Sequence, residues 1–221
     1  MQRQPAWLMF VVAVAVAAVL SVPYLSLDIG DSRIAVRDDV HYYTLVAHVI
    51  TASVALIIGP LQFVDRVRAR RRLHRVIGRT YLIVGVVAFG VTGIPVALWS
   101  GRPLTQVSLT LASLLWLVTG VLAYRSARRR QFLEHREWVM RNYALTFLAV
   151  TARIVVPLLL LSQVPFGRVA PDSIGDRAVS MIPLGQTLGW IVNLILAEVL
   201  ISRSRRRRRP ALVADRPGRP E

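Results

Sequence analysis

The chain has 221 residues, 54% of them hydrophobic, yet it carries 28 basic against 12 acidic side chains and a formal net charge of +16. Cysteine is absent, which excludes disulfides, thiolate metal sites, iron–sulfur clusters and cysteine nucleophiles. The positive charge falls in separate clusters that flank apolar runs, not on the single water-facing surface that nucleic acid requires, so nucleic acid is not an expected partner.

Those apolar runs, about 20 residues long and separated by short charged loops, need lipid as their solvent. The first spans residues 5–25. It follows Arg3 and runs into Ser21-Val22-Pro23-Tyr24. No small-x-small cleavage site closes it and further spans follow, so it reads as an uncleaved helix. The remaining spans are expected at 42–64, 76–99, 104–124, 138–161 and 181–201. The fold class is therefore all-α, a polytopic bundle of about six transmembrane helices forming one domain over 1–201. A basic tail over 202–221, rich in Arg, Pro and Asp, is expected to be disordered.

Arginine sets the direction of the chain. Clusters at Arg66–Arg79, Arg125–Arg141 and Arg203–Arg209 should stay on the cytoplasmic side and attract anionic lipid, while the alternate loops face outside. Six helices with both termini in the cytoplasm satisfy every loop, in what reads as a bacterial cytoplasmic membrane.

The two long basic turns resemble each other. Ala69-Arg70-Arg71-Arg72-Leu73-His74-Arg75 answers to Ala127-Arg128-Arg129-Arg130, a short insertion, then Leu133-Glu134-His135-Arg136. Each is followed by an Arg-x-Tyr element, Arg79 with Tyr81 and Arg141 with Tyr143. Spans two and three thus read as a copy of spans four and five, a two-helix repeat forming the centre of the bundle.

Steps of three and four residues mark the inward faces. They are His41, Thr44, His48, Thr51, Ala55 and Gly59 in span two; Gly78, Gly85, Ala88 and Thr92 in span three; Asn142, Thr146, Ala149 and Arg153 in span five; and Gln186, Gly189, Asn193 and Ala197 in span six. Pro60 cannot donate to the Leu56 carbonyl, so a kink or stop is expected there. Arg153 and His48 should lie at similar depth near the outer face, and an arginine in the apolar zone is a functional candidate. Glu198 should pair with an arginine at the level of Arg79 and Arg141.

The motifs Gly59-Pro60-Leu61-Gln62-Phe63, Leu73-His74-Arg75-x-x-Gly78-Arg79-x-Tyr81, His135-Arg136-Glu137-Trp138-x-x-Arg141-x-Tyr143-Ala144-Leu145-Thr146-Phe147 and Trp190-x-x-Asn193-Leu194-x-x-Ala197-Glu198 resemble a bacterial family of multi-pass membrane proteins catalogued as a domain of unknown function. The resemblance covers roughly Tyr43 to Ile201. It implies a membrane bundle and names neither activity nor cofactor.

Three functions remain open. Arg75, Arg79, Arg136 and Arg141 with His74 and His135 could bind a polar or anionic ligand such as a lipid head group or a quinone or isoprenoid carrier, with Arg153 and His48 near the outer face. Alternatively, His74 and His135 could be the metal ligands of a b-type haem, the same arginines meeting its propionates. His41 and His48 could not sandwich a haem, because they project from one helix about 10 Å apart. The third reading is a non-catalytic subunit or assembly factor whose polar seams pack a partner or a second copy. No serine-nucleophile, paired-acid or His-Glu-x-x-His pattern supports an enzyme, and no catalytic residue is assigned.

Overall fold

The computed structural model describes residues 4–32, 34–163 and 174–214. Among them every regular element is helical. Helix α1 is Gln4–Ser21, α2 Asp39–Ile58, α3 Asp65–Ala69, α4 Arg71–Thr80, α5 Phe89–Leu98, α6 Pro103–Arg128, α7 Phe132–Thr146, α8 Leu148–Leu161 and α9 Ile174–Ala214. Helices α4 and α5 are joined without a loop by a π-helical stretch, Tyr81–Ala88. Five segments are long and apolar enough to cross a membrane: Ala6–Tyr24, Asp39–Phe63, Arg71–Leu98, Pro103–Arg128 and Ile174–Arg207. Helices α7 and α8, bent by 48° at the break between them, meet the same criterion together and count as a sixth when taken as one span.

Packing follows the small residues. Helix α1 lies on α2, α2 on α5 and the π-helical stretch, and α5 on α6; α6 meets α7 and α9, while α8 packs along α9. A Cβ at Gly85 would stand 2.9 Å from that of Ala55, and one at Gly189 would stand 3.3 Å from the Ala152 backbone nitrogen. Backbones this close gain van der Waals contact that larger side chains would prevent, the dominant attraction between helices in lipid.

Two interruptions shape the bundle. Helix α2 stops at Ile58, Pro60–Phe63 forms a 3₁₀ turn, and the Tyr143 hydroxyl donates to the Leu56 carbonyl at 3.0 Å. That carbonyl is the one Pro60 cannot reach, so a tyrosine from α7 fills the gap left by the proline ring. The second interruption, between α7 and α8, is not announced by any proline or glycine. There the Thr146 hydroxyl donates to the Asn142 carbonyl at 3.2 Å and the Asn193 amide donates to the Ala144 carbonyl at 3.0 Å. One carbonyl of the last turn of α7, that of Ala144, is thus paired by a side chain from α9, and the carbonyl just before that turn receives a hydroxyl of the helix itself. A helix can end inside the apolar zone only when such groups are satisfied.

The last helix runs beyond the expected span. It continues through Arg203–Arg209 to Ala214, where the sequence suggests a disordered tail from residue 202. Arginine is a good helix former, and extending an existing helix avoids the cost of nucleation. The chain after 214 lies outside the described residues, as does most of the loop expected between α8 and α9.

Candidate functional site

His74 and His135 are each the fourth residue of their helices, α4 and α7. Their amides close the first turn in the same way, His74 onto the Arg70 carbonyl at 3.0 Å and His135 onto that of Gln131 at 2.9 Å. The two imidazoles meet at the arginine-rich end of the bundle, ring centres 6.5 Å apart and planes at 80°. Nδ1 of His135 is 2.8 Å from the Ala123 carbonyl on α6. A carbonyl only accepts, so this nitrogen carries the proton and Nε2 is left as the lone-pair nitrogen of the neutral ring. Nδ1 of His74 is shut off from water and has no hydrogen-bond partner.

The arginines divide. Arg75 is exposed, its Nε 3.3 Å from the Arg71 carbonyl; Arg136, in the first turns of α7, and Arg79, in the last turn of α4, are exposed as well. Arg141 instead turns to Glu198 on α9, with Nη2 3.0 Å from Oε2 and Nε paired to Oε1, and lies 4.6 Å over the Trp138 ring. A second pair, Arg205 Nε to Glu137 Oε1 at 2.7 Å, ties α9 to α7 one turn further out. A third pair, Asp65 with Arg68, lies within α3.

Further into the bundle lies a polar network built on the Arg-x-Tyr elements. The Tyr81 hydroxyl donates to Asn142 Oδ1 at 2.7 Å and lies 2.9 Å from Thr146 Oγ1. The Asn142 amide donates to the Trp116 carbonyl at 2.7 Å and to Thr119 Oγ1 at 2.8 Å. Four buried side chains from three helical segments are therefore fixed together where each unpaired group would be expensive. The buried Trp116 indole Nε1 has no hydrogen-bond partner. Its ring meets Phe89 edge-on at 3.9 Å, and Phe89 stacks on His48 at 4.3 Å.

Residues 45–201 match the family model described as Predicted membrane protein (DUF2306). The chain belongs to this family. The matched stretch holds both histidine turns, the Tyr81 network, the broken span and Asn193. No curated protein and no solved structure matches the chain.

The structure distributes the expected site residues unevenly. It brings His74 and His135 together, each followed in the chain by an exposed arginine, Arg75 and Arg136, and pairs Arg141 with Glu198. His48 is half-buried against Phe89, its Nδ1 3.5 Å from Thr92 Oγ1. Arg153 is exposed and its guanidinium turns back onto the Ala149 carbonyl. Asn142 and Thr146, on α7, are buried, and a 48° bend lies between them and the part of the span that carries Arg153.

The sequence reading overlooked the inward face of α6. Thr105, Ser108, Ala112, Trp116, Thr119 and Ala123 are all buried, and Ser108 Oγ accepts from Thr187 and from the Trp190 indole, both at 2.9 Å. Their spacing by three and four residues was the available signal. The Tyr81 network had no such local mark, because its partners come from different helices.

Proposed function

We propose that the arginine-rich end of the bundle binds the polar or anionic head group of a membrane-soluble molecule, a phospholipid or an isoprenoid or quinone carrier. In this reading the site faces the cytoplasm of a bacterial cell across its cytoplasmic membrane, with both termini inside, as the arginine distribution favours. The observation that carries the proposal is the approach of His74 and His135 to 6.5 Å at two matching helix starts. One imidazole has its tautomer set by Ala123, and the other has a buried nitrogen without a partner. Arg75, Arg79 and Arg136 add positive charge on the same side, and guanidinium suits phosphate and carboxylate.

Binding of a long-chain prenyl phosphate and of a quinone, measured by native mass spectrometry on detergent-purified protein, tests this. His74→Ala and His135→Ala should each reduce retention of the same probe about 10-fold, and the double variant should lose little more, because groups acting as a unit are non-additive. Unchanged retention of both probes in both variants would count against the site.

A b-type haem is the second reading, and the ring spacing is its specific support. His74 and His135, their ring centres 6.5 Å apart, would be the residues to hold such a haem, which would supply one-electron redox chemistry. Arg75, Arg79 and Arg136 would face its propionates. An absorption spectrum before and after dithionite, on protein expressed with ample haem, separates the readings: a reduced b-type α band favours haem, and its absence favours the head-group site.

A further inference from the structure

We infer that the face of α9 turned away from the bundle seats one anionic glycerophospholipid, its acyl chain along Ile195 and Val199 and its phosphate on Arg203 and Arg206. The opposite face of the same helix, Asn193, Ala197 and Ile201, is buried against the other helices. On the outward face a groove of about 520 Å³ is lined by those four residues and Ser202, with Leu194, which packs against the core, and Glu198 at its edge. Ile195, Val199, Ser202 and Arg206 follow steps of four, three and four, so they form one stripe rather than a scatter.

The order along the helix is that of a lipid. Apolar side chains come first, then a hydroxyl, then guanidinium groups. From Ile195 to Arg203 the helix rises about 12 Å, a little under half of a hydrocarbon core of about 30 Å. The groove therefore reaches from near the midplane to the head-group level of one leaflet. Its charge points the same way. Glu198 is paired with Arg141, and Arg205 is taken by Glu137, which leaves Arg203 and Arg206 at the mouth to meet a phosphate. A second copy of the chain is a poorer occupant. Two copies inserted in the same direction and meeting symmetrically through this face would bring Arg203 and Arg206 against their own counterparts, and like charges in contact oppose association. The inference rests on the membrane-spanning fold and the paired acids, not on the histidine site, and it stands or falls separately from that site.

The test is native mass spectrometry of the full chain, delipidated and then titrated with phosphatidylglycerol or with phosphatidylcholine of the same acyl composition. Wild type should retain one phosphatidylglycerol preferentially. The Arg203→Gln/Arg206→Gln variant should lose about 25-fold of that preference, about 5-fold for each arginine, whereas Arg70→Gln/Arg72→Gln, with the same change in net charge, should keep it. Val199→Trp, which fills the groove at an exposed position, should lower binding of both lipids alike. Equal losses in the two double-arginine variants would overturn the inference, showing attraction to charge in general. So would unchanged lipid binding in Val199→Trp, or disulfide-linked dimers from Val199→Cys in this cysteine-free chain, which would make a second copy the occupant.

Discussion

The pairing of Tyr143 with the carbonyl freed by Pro60 gives the sharpest test of how the bundle is held. Gly59 has helical dihedrals, φ −57° and ψ −49°, so the nitrogen of residue 60 already points back at the Leu56 carbonyl, and only the proline ring prevents a bond. Tyr143→Phe keeps the ring packed on Gly59 and removes the 3.0 Å hydrogen bond. Interhelical hydrogen bonds in membrane bundles are worth about 0.6 kcal/mol on average and roughly 1.7 at most, and this one leaves a buried acceptor with nothing else, so the loss should be about 1 to 1.5 kcal/mol. Pro60→Ala restores an N–H aimed at the same carbonyl. In that background Tyr143→Phe should cost only a few tenths of a kcal/mol, giving a coupling energy of about 1 kcal/mol in the double-mutant cycle. Unfolding in mixed micelles with rising SDS fraction, followed by far-ultraviolet circular dichroism, measures all four corners. A cost for Tyr143→Phe that is the same with proline or alanine at 60 would refute the reasoning, since the hydroxyl would then not be replacing the missing amide.

Three further outcomes follow from the same contacts. Gly59→Ala should destabilise the fold by about 1 to 3 kcal/mol in the same assay, because its Cβ would overlap the buried Tyr143 ring; Gly101→Ala, where nothing lies within 4 Å but φ is +68°, should cost about 1 kcal/mol through backbone strain alone. Asn193→Ala removes the bonds to the Ala144 carbonyl and to Thr151 Oγ1, the latter 2.8 Å long. It should cost about 1 to 2 kcal/mol and widen the distance distribution between spin labels placed on α7 and α8, whereas Asn193→Gln should only partly restore both. Reporter fusions after Arg68, Arg128 and Arg209 should read cytoplasmic and those near Gly30 and Arg102 external; an external signal at Arg128 would contradict the six-span path.

The broad plan of the molecule was legible in the sequence because it depends on solvent alone. Runs of apolar side chains long enough to replace water with lipid, arginine clusters between them and a proline after Gly59 each act locally, so span positions and the stop at the end of α2 could be read residue by residue. The inward stripe of α9 was legible for the same reason, helical periodicity on an unbroken helix; of the stripe expected in α2 only His41 and Ala55 are buried within the helix, where Tyr42, Leu45, Val46 and Leu56 are buried beside them. The matched turns around His74 and His135 could be recognised as similar, although similarity did not give the distance between the rings.

What the tertiary structure decided was where periodicity stops applying. Whether α7 continues into α8 depends on Asn193, 49 residues beyond the carbonyl it satisfies, and on Thr146 bonding back to its own helix. No local rule reaches that far along the chain, and the bend falls between the buried Asn142 and Thr146 and the exposed Arg153. The same holds for the Tyr81 network and for Tyr143 at the Leu56 carbonyl. A tyrosine after an arginine can face lipid, water or core, and only a buried acceptor on another helix, left without a partner in a solvent that offers none, fixes which.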